Sequence, residues 1–378
     1  MDPAVNPYST PPAFVGRNGE RQSWRAALEG VESGRPVRPM VLHGLHGTGL
    51  TSLLLELRRE AASRGWLVLH VEGAASSLRA AVGASAREIV KAQGRRAAGY
   101  AMVKATDSAK AFARPRASSR RLADGDASGG DRHGSLAEDL RTMLRDLASA
   151  AAEERVGLAL LVDDAQELTP EDLGAVCAAA RDARKEEWGL LVALAGSSDL
   201  LATLDRTAWY GQWLFRVDEL LPLADEEARE ALVTPARRQG VPWQGAALDL
   251  VIQEGHGYPL LLNAYAAGSW NRARGKQITE AAARAGIESG RAELDAAYFE
   301  SFWSRATPSE QAYLRAIAAN GEESGSGAVA ARMGRTGTSL GPARASLLAK
   351  GLIYAPRRGA VAFTVAGMGE FVRRQPGD

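Results

Sequence analysis

Gly44-Leu45-His46-Gly47-Thr48-Gly49-Leu50-Thr51-Ser52 is the stretch whose reading decides the fold. Pro39-Met40-Val41-Leu42-His43 leads into it and Leu53-Leu54-Leu55-Glu56-Leu57 leads out. Apolar run, glycine-rich turn and helical repeat are the strand, loop and helix of a phosphate-binding P-loop. Glycines let the backbone curl until successive N–H groups face inward, and the helix N-terminus adds its partial positive charge. One residue departs from the pattern. G-x-x-x-x-G-K-[ST] puts lysine where this chain has Leu50. Gly44, Gly47 and Gly49 keep the backbone freedom, and Thr51, followed by Ser52, keeps the hydroxyl that would hold Mg²⁺. Leu50 supplies neither charge nor donor. Losing a charge-assisted hydrogen bond of about 1.5–3 kcal/mol weakens nucleotide binding by roughly ten- to a hundred-fold. Hydrolysis suffers more, because charge is needed most on the transferring phosphoryl group. Two readings stand: a nucleotide cradle without its lysine, or a glycine turn that binds nothing.

A second motif favours the cradle. Leu158-Ala159-Leu160-Leu161-Val162 is a buried strand ending in Asp163-Asp164. Asp163 is placed to support Mg²⁺ through water, and Asp164 stands where many P-loop ATPases carry a glutamate that orients the attacking water. Aspartate is one methylene shorter, and a displacement of ~1 Å at such a position costs about a hundred-fold in rate. The plainer reading of Asp-Asp after a strand is a helix cap. Around these two motifs, strands and helices alternate. Trp66–Val71 and Trp188–Ala195 read as buried strands, the second leading to Gly196-Ser197-Ser198, while 52–64, 135–152 and 171–184 carry helical spacing. The pattern predicts an α/β fold with a parallel, doubly wound sheet and a ligand at the carboxyl ends of its strands.

Length and composition bound the rest. At 378 residues, 46% hydrophobic and 24% charged, the chain reads as a globular protein of two or three domains. A net charge of +1 decides nothing about nucleic acid. The single Cys177 excludes an internal disulfide, and no run approaches the ~20 apolar residues of a membrane span. With no apolar leader either, the expectation is a cytoplasmic protein without a membrane partner. Residues 1–12 read as a flexible, proline-rich lead-in. Residues 91–134 read as a partly disordered insertion with a basic half, either a nucleic-acid contact or a solvated surface. The five histidines are scattered and show no zinc spacing.

Beyond the linker at 220–223 the patterns are helical to about residue 304. The segment from 305 to 374 has a logic of its own, with 375–378 left as a tail. Thr307-Pro308-Ser309-Glu310 caps a first helix, short helices follow near 329–333 and 339–350, and a hairpin turns at Arg357-Arg358-Gly359. Three helices and a two-stranded wing make a winged helix-turn-helix. Thr338, Ser339, Arg344 and Lys350 on its third helix, Arg332 and Arg335 beside the second, and Arg357 and Arg358 at the wing tip are candidate DNA contacts, mostly to phosphates. Winged helices also serve as protein contacts.

Phe14-Val15-Gly16-Arg17, the P-loop, Leu160–Gln166, Ala195-Gly196, Gly257-Tyr258-Pro259 and the C-terminal segment occur in order. Together they resemble the bacterial AAA+ ATPases related to replication-initiator and origin-recognition proteins, common in actinobacteria. The resemblance implies an AAA+ core over 13–222, a helical lid over 223–304 and a DNA-binding winged helix, with ATP or ADP and Mg²⁺ as ligands. It implies that Val15, Gly16 and Arg17 border the adenine pocket and that Ser197 or Ser198 takes the sensor position. It also implies that Tyr258 and Pro259 bring the lid towards the nucleotide. Leu50, Asp164 and Trp213, the last standing where the family's trans-acting arginine is usual, depart from the family pattern. They point to weak or lost hydrolysis. The alternatives are a competent ATPase with a compensating basic residue, or a regulatory or interaction subunit of a larger assembly, such as a mobile-element or defence system.

Overall fold

The computed structural model describes residues 14–74, 77–93, 100–114, 135–207 and 211–376. The lead-in at 1–12 lies outside them. The chain divides into two compact units. One comprises Asn18–His43 and Leu54–Asp218; the other comprises Met1–Arg17, Gly44–Leu53 and Glu219–Asp378.

α1 (Asn18–Glu32) buries Trp24 and Leu28. The Trp24 indole donates to the Leu57 carbonyl at 3.1 Å, fixing α1 to the helix after the loop. β1 (Met40–Gly44), α2 (Leu50–Ser63) and β2 (Leu67–Glu72) follow as strand, helix and strand. Then come α3 (Leu78–Gln93), α4 (Tyr100–Ala113) and α5 (Leu136–Glu153). α5 starts where Ser135 caps it, accepting from the Glu138 N–H, and buries Leu140, Met143, Leu144 and Leu147 as the helical period requires. β3 (Leu158–Asp163), α6 (Pro170–Lys185), β4 (Leu190–Ser197), α7 (Leu200–Thr207), α8 (Gly211–Leu214) and β5 (Arg216–Leu220) complete the α/β part. The five strands form a parallel sheet in the order β2-β3-β4-β1-β5. Every residue of β3 and β4 is buried, which explains their unbroken apolar sequence.

α4 departs from the expectation of an insertion over 91–134. It buries Met102, Ala105, Ala109 and Phe112. Asp146, only 5% exposed, holds it in place: Lys104 lies 2.9 Å from that carboxylate and Ser108 donates to it. A buried charge must be paired, and Lys104, itself largely exposed, supplies the partner for Asp146. Arg79 adds a bond to Asp139 at 2.7 Å and lies over the Phe112 ring. Residues 94–99 and 115–134 lie outside the described residues.

In the other unit, α9 (Asp225–Arg238), α10 (Gly245–Gly255), α11 (Pro259–Arg272) and α12 (Glu280–Leu294) form a helical segment. α11 and α12 cross closely: a Cβ on Gly268 would lie 2.2 Å from the Gly286 carbonyl oxygen, and one on Gly286 would lie 2.2 Å from the Ser269 nitrogen. A π turn at Asp295–Phe299 leads into α13 (Glu300–Ser304). The C-terminal module is α14 (Pro308–Asn320), β6 (Glu323–Gly325), α15 (Ser326–Arg332), α16 (Gly337–Ala349), β7 (Ile353–Tyr354), β8 (Ala360–Phe363) and α17 (Met368–Arg374). β8 pairs antiparallel with both β6 and β7. β6 was not anticipated; Glu323-Ser324-Gly325 is too short and polar to read as a strand. One apolar core runs through helical segment and C-terminal module alike, from Leu232 and Trp270 to Phe299 and Phe371.

Candidate functional site

β1 ends at Gly44 and α2 begins at Leu50, so the glycine loop is the turn between them. Gly47 and Gly49 sit at φ +95° and +93°, conformations that L side chains rarely adopt. Thr48, 1% exposed, closes the turn: its hydroxyl donates to the Leu45 carbonyl at 2.8 Å and its N–H at 3.2 Å. A Cβ on Gly44 would lie 2.8 Å from the Leu220 carbonyl oxygen. The first turn of α2 carries no acid, so nothing there repels an anion. The glycine turn and the acid-free start of α2 therefore suit a phosphate group, and Thr51 carries a hydroxyl in that first turn. Leu50 opens the helix as an apolar residue.

The loop is braced on several sides by its own unit. Arg17 Nη2 donates to the Thr48 carbonyl at 2.8 Å. Arg17 follows Gly16, and both have positive φ, 75° for Gly16 and 58° for Arg17. Tyr258 caps α11 and Pro259 is its first residue; Pro259 Cγ lies 3.7 Å from the position of a Cβ on Gly49. Next along α11, the Leu260 N–H donates to the Gly47 carbonyl at 3.2 Å. The expected nucleotide set from Val15 to Arg17, Gly44 to Ser52 and Tyr258-Pro259 is thus drawn together within one unit. One brace was not legible in the sequence. His46 forms a parallel bridge with Val365, its N–H donating to the Thr364 carbonyl at 3.0 Å and its carbonyl accepting from Ala366 at 3.4 Å. The chain just beyond β8 therefore holds the loop. Backbone pairing of this kind leaves no mark in side-chain patterns.

The acidic strand end belongs to the other unit. Asp163 is 5% exposed, and its Oδ1 accepts from the Asp164 N–H at 3.0 Å. Asp164 takes φ +47° at the start of a short 3₁₀ turn. Gln166 joins it to the next strand: Nε2 donates to Asp164 Oδ1 at 3.2 Å, and Oε1 accepts from the Ser197 N–H at 3.0 Å. Asp163, Asp164 and Ser197 are thus one hydrogen-bonded group, with Gln166 as the member not singled out as functional. Ser198 lies in the turn after β4. Gly73 fits closely against this end, its N–H bonding the Asp163 carbonyl at 2.7 Å. His70, on neighbouring β2, has its pKa lowered by burial and by Arg58, which outweigh Asp163 and Glu72.

The candidate DNA residues separate into two groups. Arg335, Thr338, Ser339, Arg357 and Arg358 are exposed, with Thr338 and Ser339 in the first turn of α16. Arg357 is ion-paired to Glu323 at 2.7 Å. Others turn towards the protein. Lys350 lies 2.6 Å from Glu310, so its ammonium ties the end of α16 to α14. Arg332 is exposed like the first group, with its Nε donating to Asn320 Oδ1 at 2.8 Å. Arg344 is half-buried, its Nε enclosed without a hydrogen-bond partner. Trp213 is 80% exposed, while Arg216 is held by Asp218 at 2.9 Å. Among the described residues, no helix is long and apolar enough to cross a membrane.

Comparison with known proteins places these features. Residues 296–372 match a family described only as a domain of unknown function (DUF8462). No curated protein matches the chain. Among solved structures, a Walker-type ATPase of Pyrococcus abyssi is similar at TM-score 0.64 and 16% identity, covering 95% of this chain and 96% of that one. At that identity the likeness speaks to the fold alone. The Aeropyrum pernix ORC1 protein, solved in complex with DNA, gives 0.49 at 16% identity, over 98% of this chain and 96% of that one. The Thermotoga maritima RuvB Holliday junction branch migration motor gives 0.47 at 14%, over 99% of each. Residues 13–193 match a family model described as an AAA ATPase domain, and that stretch holds both the glycine loop and the acidic strand end.

Proposed function

We propose that the protein is an initiator-like AAA+ relative that binds ATP or ADP at its glycine loop, hydrolyses it weakly or not at all, and carries a DNA-binding winged helix. The observation that carries this reading is Leu50 at the start of α2 inside an otherwise intact cradle: the turn at Gly47 and Gly49, the buried Thr48 and the acid-free helix end are all retained. Backbone N–H groups and the helix terminus bind phosphate without lysine, more weakly. Thr51 would hold Mg²⁺ at the loop, and the ion would supply charge to phosphate oxygens. Hydrolysis needs more than binding, and the Gln166 bond that ties Asp164 into the β4 side restrains the shortened acid further.

Support for a winged helix comes from element order: helix, strand, helix, helix and hairpin, with Arg358 at the turn and Thr338 and Ser339 opening α16. The exposed set is mainly phosphate-directed, which predicts binding with little sequence preference and a strong salt dependence. The test is a paired one. Labelled ATP should bind the wild type and bind Leu50→Lys roughly ten- to a hundred-fold more tightly. If Leu50→Lys gained no affinity, the loop would not be a phosphate site.

A further inference from the structure

The missing lysine leaves the loop short of positive charge, yet a cation does reach it. Arg17 donates from Nη2 to the Thr48 carbonyl at 2.8 Å. In a planar trans peptide the C=O and the following N–H point in opposite directions, and none of the described peptide bonds is cis. A Thr48 carbonyl turned towards Arg17 therefore turns the Gly49 N–H away from it. Thr48's own N–H is engaged by the Leu45 carbonyl, so it closes the turn. The peptide that Arg17 grips is thus one whose N–H the glycine-rich motif assigns to anion binding.

The grip has an electrical consequence as well as a geometric one. A charged donor on a carbonyl draws electron density towards the oxygen and leaves the N–H of the same peptide more positive. The effect grows where water is excluded, and Thr48 is 1% exposed. The backbone also holds Arg17 in an uncommon conformation. Its φ of +58° is left-handed, a region few non-glycine residues occupy. Gly16 before it is left-handed as well, at φ +75°, a conformation that glycine adopts without strain. Local strain of this kind persists only where the surroundings hold it in place.

We propose that Arg17 is a positioning residue of the phosphate cradle, orienting and polarising the Thr48–Gly49 peptide so that the Gly49 N–H becomes a stronger anion donor. It supplies part of the missing lysine's effect through the backbone, without touching phosphate. This rests on the nucleotide reading above. It differs from the role the family resemblance implies for Arg17, at the border of the adenine pocket, and the two are separable.

The test uses the full chain, Arg17→Met, which keeps the aliphatic stem, and Arg17→Lys, which restores a charge. The first measurement needs no nucleotide: the Gly49 amide proton resonance in glycine-labelled protein. It should move upfield in Arg17→Met and return part of the way in Arg17→Lys. The second is titration with ADP and with adenosine. Arg17→Met should weaken ADP roughly ten-fold, the scale of one charge-assisted bond, and leave adenosine unchanged. An unmoved Gly49 resonance would overturn the proposal. Equal weakening of ADP and adenosine would also overturn it, marking Arg17 as a base contact. A wild type that binds neither ligand would overturn the nucleotide reading alone if the Gly49 resonance still moved in Arg17→Met, and the Arg17 proposal as well if it did not.

Discussion

Leu50 and Glu310 show how single side chains set both site and stability. Glu310 caps α14 in a reciprocal box with Thr307 and also receives Lys350 at 2.6 Å. Burial pushes its carboxyl up, but the hydrogen bonds from Lys350, Ser346 and Thr307 outweigh that and hold it at about 2. A carboxyl depressed on folding contributes stability that is fully present above its ordinary value of 4.5. That contribution fades as pH falls from there towards about 2. Glu310→Gln should lower stability at neutral pH by about 1–3 kcal/mol. It should also flatten the acid limb of a stability–pH curve measured by denaturant unfolding; an unchanged acid limb would refute the assignment. The role of Glu310 as a cap was legible, because Thr-Pro-Ser-Glu is a local signal. Its bond to Lys350 was not: the partners lie forty residues apart in sequence, and on pattern alone Lys350 reads as a surface cation.

At the scale of elements, the strands, the glycine loop and the acidic strand end were readable because each rests on short-range pattern: apolar runs for buried strands, glycines for the turn, caps for the helices. α4 was misread for the opposite reason. Its lysines do face solvent, but the helix also buries Met102, Ala105, Ala109 and Phe112, and Asp146 on α5 pairs with Lys104. A distant partner overrode local composition. The close crossing of α11 and α12 was equally hidden, since it depends on Gly268 facing Gly286. With backbone atoms 2.2 Å from either added Cβ, no flexible side chain can give way. Gly286→Val should therefore destabilise the chain by at least the 1–3 kcal/mol or so of an overpacked core, read as a lower melting temperature. Gly337→Ala has open space around it and provides the control. Equal melting temperatures would contradict the crossing. For the hairpin, Arg358→Ala with Arg335→Ala should weaken duplex DNA binding and reduce its salt slope by about one or two units. Unaltered binding in that pair would remove the DNA contact from these positions.

At the scale of the molecule, the glycine loop lies in the same compact unit as the helical segment and the C-terminal module. His46 is bonded to Thr364 and Ala366 just beyond β8, the strand that follows the Arg357–Arg358 turn. A rearrangement of the loop on binding phosphate would be transmitted through these backbone bonds. Linkage makes the effect reciprocal: if ATP changes the affinity for DNA, DNA changes the affinity for ATP by the same factor. Ala366→Pro removes the donor to His46 and should reduce that coupling towards unity while leaving each ligand bound. A coupling factor unaltered by Ala366→Pro would show that the bridge transmits nothing.

The proposed function depends on the loop binding nucleotide without a lysine. Its most direct test is to denature freshly purified protein, identify any released ATP or ADP, and titrate the emptied chain with labelled ATP and Mg²⁺. Binding should be saturable at one site per chain and tightened by Leu50→Lys. An empty pocket with no measurable affinity in either protein would contradict it.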